Sequence, residues 1–291
     1  MSAQQSLASR VIATAGLMLA TLMVTIDMTI ANVALPHMQG SLAASQEQMT
    51  WVLTSYILAT AIMTPMSGWL SMKIGRKRLF LISIGAFVTA SVLCGMATSL
   101  PEMVMFRVLQ GFAGASMMPL SQATLLDIWP RRLTAQVMAA WSAVIMAAPI
   151  LGPTLGGYLT EQFSWRWVFY VNVPLGAVGF AMIYLFLEHD SGGRERPFDF
   201  LGFTALVLFT ASLQLLVDRG PSRDWFESSE VWTYVVIAAC GLYVFVMQTL
   251  TAEHPFFHRD LFRDRNFTSC LLFSVLLAAV LFGSIAVLPV F

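Results

Sequence analysis

The sequence predicts an all-α polytopic membrane protein, on three observations. Hydrophobic residues make up 57% of the 291 and charged residues 11%, against roughly 25% charged in a soluble domain. The apolar residues gather into nine runs, each near the roughly 20 residues that a helix needs to cross a bilayer core. The charges lie mainly between those runs, which leaves almost no room for a soluble domain. Sixteen basic and sixteen acidic residues cancel, so net charge implies no nucleic-acid partner, and the lipid bilayer is the surrounding medium.

The runs fall near 11–36, 49–71, 79–98, 103–126, 135–160, 167–187, 200–217, 231–250 and 267–291. The first is too long for a signal-peptide core and lacks a cleavage site, so it reads as a retained helix ending at Pro36. Within it Asp27 is the one carboxylate well inside a span. Burying it ionised costs ~2.5–3.5 kcal/mol or more, so it should face protein or water. Ala20, Ala31 and Ala34 share its helical face, a small-residue stripe suited to packing or to lining a cavity. Two roles stay open for Asp27: proton or substrate chemistry, or a structural carboxyl capped by neighbours such as Thr29.

The second and third runs are joined by a loop starting at Gly68 and ending in Gly75-Arg76-Lys77-Arg78. Glycines permit a tight turn, and the bases anchor that turn to one side of the membrane. The fourth run contains Arg107, with Gly111 and Ala115 on the same face. Those small neighbours point the arginine toward another helix, while its shallow depth also permits snorkelling to the headgroups. In the fifth run Ala148, Gly152 and Gly156 lie four apart, as do Pro149, Pro153 and Gly157. On a helix these form two adjacent stripes, one nearly without side chains and one carrying kinks. Such a face allows close helix approach and bends the helix.

After the sixth run, residues 188–199 hold Gly192-Gly193 among charges and read as a flexible linker between six helices and three. The expected domains are thus 1–187, a 188–199 linker, helices seven and eight over 200–250, and a loop plus ninth helix over 251–291. The last residues, Leu288-Pro289-Val290-Phe291, are still apolar, from which a truncated chain is expected. Twelve of the basic residues fall on the N-terminus and the even-numbered loops and three on the opposite side, so the N-terminus is expected in the cytoplasm. Cys94, Cys240 and Cys270 all sit in apolar runs and read as small buried hydrophobes. No metal-ligand spacing and no nucleophile–base–acid set is present, so neither a metal site nor an enzyme is expected.

Taken in order, these pieces resemble the major facilitator superfamily, and within it the drug:proton antiporters with fourteen spans (EmrB/QacA type). Asp27-Met-Thr-Ile-Ala-Asn-Val-Ala-Leu-Pro36 is similar to that family's first-helix motif, and Gly68 to Arg78 to its loop motif. Arg107-Val-Leu-Gln-Gly111 is similar to its fourth-helix motif, and Gly152-Pro153-Thr-Leu-Gly156-Gly157 to the fifth-helix motif of exporters. Trp165-Arg-Trp-Val-Phe-Tyr-Val-Asn172-Val-Pro174-Leu-Gly176 and Asp218-Arg-Gly with Asp224-Trp225 add to the likeness. The resemblance implies a six-helix N-terminal half, two extra helices and the first helix of a second half. It implies proton-coupled efflux of amphipathic drugs or other toxic organic compounds across the bacterial inner membrane, driven by the proton gradient without a cofactor.

Asp27 and Arg107 would serve proton coupling. Pro149, Gly152, Pro153, Gly156 and Gly157 would form the gating seam, the small stripe packing against a helix of the second half, and Gly68, Gly75 and Arg76 the loop motif. Met72 stands where that motif usually carries an acid, which puts the family's inward-side latch in doubt. Partners implied are hydrophobic small molecules, a periplasmic adaptor and an outer-membrane channel. The alternative is a non-transporting truncated fragment, or a half-transporter that needs a partner chain.

Overall fold

The computed structural model describes residues 6–189, 192–193, 197–253, 255–257 and 260–287; the expectation placed on 288–291 lies outside these. All regular elements among the described residues are helical. Among the described residues seven segments are long and apolar enough to cross a bilayer, and a bent helix pair makes an eighth. The protein is a multi-pass membrane protein. The chain divides into two compact units, Met1–Arg196 and Pro197–Phe291, with the sequence boundary inside the 188–199 stretch.

In the first unit α1 spans Leu7–Ser41, starting at Ser6, whose hydroxyl accepts from the amide of Ser9 at 3.1 Å. It continues through Pro36 and closes with Leu42 N donating to Met38 O at 2.9 Å. The expected end at Pro36 is therefore corrected. A proline forfeits one helical hydrogen bond without stopping the next turn from closing on its own carbonyls.

The second span is also not the single helix expected over 49–71. It is α2 (Gln46–Met63), begun by a Ser45/Gln48 capping box, and α3 (Met66–Ile74), bent by 57°. Pro65 at the break has no N–H to donate back to the preceding turn. Next come α4 (Arg76–Met96), α5 (Leu100–Gly114) and α6 (Met117–Ile128). The gap between α5 and α6 has the same cause. Pro119 leaves the Ala115 carbonyl without its helical donor, and the Thr64 hydroxyl donates to it instead at 3.4 Å. The Thr60 hydroxyl also donates to Gly111 O at 3.3 Å, so the second span supplies two donors to the fourth.

The fifth span is α7 (Thr134–Gln162), helical through both Pro149 and Pro153. The sixth is a short α8 (Trp167–Tyr170) followed by α9 (Asn172–Phe186). Two apolar clusters fill the unit. One is built around residues 13–24 of α1 with Phe80, Ile84, Phe87, Met117 and Ile183. The other is built around residues 26–42 with Met49, Met103, Val168 and Phe169. Asp27 falls where they meet.

The small-residue stripe of α7 has a different partner from the one expected. Ala148, Gly152 and Gly156 are buried against α1, inside the first unit. A Cβ at Gly152 would overlap Thr29 Oγ1, and one at Gly156 would lie 3.0 Å from Ile30 Cγ1. Pro149 and Pro153 are exposed, and a Cβ at Gly157 would meet nothing. The two stripes therefore divide their work: the small one lets α1 and α7 approach, and the other is left uncovered by the first unit.

The second unit contains α10 (Phe200–Arg219), α11 (Ser229–Thr251), α12 (Asp260–Arg263) and α13 (Arg265–Val287). Asp199 caps α10 by accepting from Gly202 N at 2.8 Å, and accepts as well from Gln248 Nε2 and Phe256 N, both at 3.1 Å. One carboxylate thus ties the start of α10 to the end of α11. Gly241 lets the pair close: a Cβ there would lie 2.8 Å from Phe209 N. Cys94 is buried as expected, whereas Cys240 and Cys270 are exposed, because in lipid an apolar helix side need not be covered by protein.

Close packing of α1 on α7 predicts a graded series. Gly152→Ala should lower the unfolding free energy of the purified chain by about 1–3 kcal/mol, the usual penalty for overpacking. Gly156→Ala should cost less, and Gly157→Ala nothing. Detergent-titrated unfolding of the three variants measures this; equal losses at all three positions would show that α1 does not set the contact.

Candidate functional site

Four spans converge on the Asp27 carboxylate, and each supplies a polar side chain that would be costly to bury alone. Asp27 and Arg107 are both fully buried, and Arg107 Nη1 donates to Asp27 Oδ2 at 2.7 Å. The two roles open to Arg107 are thereby decided: it points inward and does not snorkel. Gly111, one turn along α5, makes this reachable. A Cβ there would lie 2.5 Å from the Tyr56 carbonyl, so only glycine lets α5 come close enough to α2. Arg107 Nε donates to Val52 O at 3.0 Å, and its guanidinium lies 4.1 Å from the Tyr56 ring centre and 5.8 Å from that of Phe169. The cation is thus held by a carboxylate, a carbonyl and aromatic faces, which together replace much of its hydration.

Two amides complete the cage. Gln110 Nε2 donates to Asp27 Oδ1 at 2.9 Å, and Asn172 Nδ2 donates to the same oxygen at 2.8 Å. Gln110 Oε1 accepts from Arg107 Nη1 at 2.7 Å. Ser91 Oγ accepts from Asn172 Nδ2 at 2.9 Å and Gln110 Nε2 at 3.2 Å, and donates to Phe169 O at 2.9 Å. An ionised carboxylate accepts only, and every group aimed at Asp27 is a donor. Arg107 Nη2, Asn172 Oδ1 and the Tyr56 hydroxyl are the members left without a hydrogen-bond partner.

Gln110, Ser91, Asn172 and Tyr56 were not singled out from sequence. Gln110 carries the clearest signal, lying three residues after Arg107 and so on the same helical face. Asn172 and Ser91 are single polar residues in apolar runs, and nothing in their spacing ties them to Asp27. Thr29, the neighbour considered as a cap, turns away and donates to Ala148 O at 3.2 Å as well as to carbonyls of its own helix.

The other candidates lie apart from the cage. Gly152 and Gly156 support it indirectly, by packing α7 on the α1 residues just beyond Asp27. Gly75 ends α3 and begins α4 with φ 89°, a conformation that favours glycine. Gly68 faces open space, so packing gives no reason for a glycine there. Arg76 forms an ion pair with Asp127 at the end of α6. Met72, in the place of the usual acid, uses its backbone: its carbonyl accepts from Gly193 N at 3.1 Å.

The apolar spans of the first unit thus close around a buried ion pair. The family model described as Major Facilitator Superfamily matches residues 17–291, and the chain belongs to that superfamily; it is a transporter-family protein and not an enzyme. It is 40% identical to the multidrug export protein EmrB of Escherichia coli K12 over 284 residues, covering 97% of this chain and 55% of that protein. EmrB of Haemophilus influenzae is also 40% identical, with 96% and 55% covered. The fatty acid resistance protein FarB of Neisseria gonorrhoeae is 38% identical, with 95% and 55% covered. The chain thus spans about half the length of these relatives.

Among solved structures, the POT family transporter PepTSo aligns with a TM-score of 0.58 at 11% identity, over 81% of this chain and 51% of that one. The human organic anion transporter MFSD10 aligns with a TM-score of 0.53 at 15% identity, over 80% and 70%. At these identities the likeness is one of fold.

Removing one member of the buried pair should cost about 3–5 kcal/mol of stability, since the other charge is left alone. Asp27→Leu and Arg107→Met test this singly. The double variant should lose no more than either single one, because it removes both charges. Simple addition of the two losses in a detergent-titrated unfolding cycle would show that the pair is not energetically coupled.

Proposed function

We propose that the protein serves proton-coupled efflux of amphipathic drugs or other toxic organic compounds across the bacterial cytoplasmic membrane. The observation that carries the reading is the fully buried Asp27–Arg107 pair in a chain of this superfamily. An intramembrane acid is a functional candidate by default. Here it has one proton-labile oxygen pair and one permanent cation beside it. Protonation of Asp27 removes the attraction that holds α1 to α5, and deprotonation restores it, so proton traffic and helix contact are linked. The relatives whose printed names specify multidrug export support the substrate class. The proton gradient supplies the energy and no cofactor is required.

Alternating access rocks one half of a carrier against the other. The first unit is one six-span half, and transport is proposed to need a second, on the same polypeptide or another. The uncovered stripe of Pro149, Pro153 and Gly157 would lie at the seam between them. The turn formed by Gly68, Gly75 and Arg76 would lie on the cytoplasmic side with the N-terminus, as the distribution of basic residues supports. A periplasmic adaptor and an outer-membrane channel would carry exported compounds onward.

Dye efflux from vesicles under an imposed proton gradient tests the reading, with the chain supplied with a second half. Gradient-driven efflux is expected, and Asp27→Asn should reduce it to the rate seen without a gradient. Undiminished coupling in that variant would return Asp27 to a structural role.

A further inference from the structure

We propose that the exposed proline stripe of α7 is a hydrogen-bond acceptor surface, and that the helix covering it presents two hydroxyl side chains four residues apart. The inference rests on the reading of that stripe as the seam with a second half and adds the chemistry of the helix that meets it.

A proline has no N–H, so the carbonyl four residues before it loses its helical donor. The α7 helix runs through Pro149 and Pro153, which releases the carbonyls of Ile145 and of Pro149 itself. Residues four apart share a helical face, so both carbonyls open toward the stripe that carries the two exposed prolines. Along the axis they are about 6 Å apart. Pro149 stands near the middle of this 29-residue helix, at the depth where a bilayer offers a carbonyl no substitute donor.

The helix has no donor of its own for them. A helical side chain reaches back to the carbonyl three or four residues before it. Those positions are Ala148 and Pro149 for Ile145, and Gly152 and Pro153 for Pro149, and none has a side-chain donor. The threonines nearby are committed to other carbonyls. Thr154 donates to Ile150 O at 2.8 Å, Thr160 to Gly156 O at 2.7 Å, and Thr29 of α1 to Ala148 O at 3.2 Å. The Trp141 indole donates to Thr21 Oγ1 at 3.4 Å.

The chain meets the same need once elsewhere, and that solution indicates the occupant. Pro119 releases the Ala115 carbonyl, and the Thr64 hydroxyl reaches it from the neighbouring span at 3.4 Å. One turn away the Thr60 hydroxyl reaches Gly111 O at 3.3 Å. Two threonines four apart on one helix thus face two carbonyls four apart on the next. Ile145 and Pro149 repeat that interval on α7. A hydroxyl suits the position because it is small enough for close helix contact, whereas a lysine or arginine at mid-bilayer depth is costly. The interval is the same for a parallel or an antiparallel partner, so the requirement falls on residue type and spacing.

The experiment uses the 291-residue chain in liposomes, with synthetic Leu/Ala helices of about 23 residues, long enough to span the bilayer, as probes. One probe carries two threonines four residues apart at its centre. The other carries valine, nearly the same shape without the hydroxyl, at both places. Association is read as energy transfer from a dye at the N-terminus of the chain to a dye on the probe, titrated against the probe-to-lipid ratio. The threonine probe should bind more tightly by about threefold per hydroxyl, or roughly tenfold for the pair. In Pro149→Ala/Pro153→Ala the two N–H groups return and the carbonyls regain helical donors. The preference should then vanish while the circular dichroism stays helical. Pro153→Ala alone, which restores the donor of Pro149 O only, should leave a preference of about threefold.

Equal association of the two probes, including none by either, overturns the proposal. So does a threonine preference that persists after both N–H groups are restored. The comparison of probes on the unaltered chain needs no variant to fold. None of these readouts needs transport, so the exporter reading stands or falls separately on the efflux assay.

Discussion

The Asp27–Arg107 ion pair is the constraint around which the first unit is arranged. A charge in the interior of an apolar bundle is tolerated only with a close opposite charge and with its remaining hydrogen-bonding positions occupied. That requirement reaches through four spans. It needs α1 and α5 within side-chain reach, Gly111 so that α5 can lie against α2, and polar residues from α4 and α9 at one point in the bundle. Gln110, Ser91 and Asn172 have little reason to be buried except that the carboxylate is there, and the carboxylate has little stability without them.

Helix packing follows from the same point. In lipid there is little hydrophobic drive between helices, and close backbone approach supplies the attraction. The Ala20, Ala31 and Ala34 face of α1 is fully covered, and Gly152 and Gly156 bring α7 onto α1 just past Asp27. Thr29 adds a hydrogen bond from α1 to the Ala148 carbonyl of α7. The ion pair is therefore clamped on both sides, by α5 through charge and by α7 through contact. Small residues and buried charges, which look unrelated along the chain, are two parts of one arrangement.

The span pattern was legible in the sequence because hydropathy is a local property and runs of about 20 residues leave few alternatives. Asp27 and Arg107 stood out for the same reason: a charge in an apolar run is visible without knowing its partner. What was not legible depends on distant neighbours. The partner of the Gly152–Gly156 stripe could not be read from spacing, since any helix can fill a small-residue face. Asn172 lies 145 residues from Asp27, and no periodicity links them. The breaks in the second and fourth spans had a visible cause in Pro65 and Pro119. Pro36, Pro149 and Pro153 sit in equally apolar runs and leave the helix unbroken, so proline alone does not say where a helix divides.

A proline inside a helix frees a carbonyl, and in a membrane that carbonyl must find another donor. At the break between α5 and α6 a donor comes from the neighbouring span: Thr64 serves Ala115, and Thr60 adds a second donor to Gly111, which also accepts from the Ala115 amide. The partners are 51 residues apart in both cases, and Arg76 and Asp127, where α4 begins and α6 ends, are 51 apart as well. The second and fourth spans therefore run side by side in one register from Thr60 onward. Because the two spans break at the same level, the second supplies the hydroxyl that the fourth needs at the Ala115 carbonyl. The register that aligns the breaks also sets Tyr56 and Val52 beside Arg107, so the geometry of the ion pair and the course of the two bent spans rest on one alignment of α2 against α5.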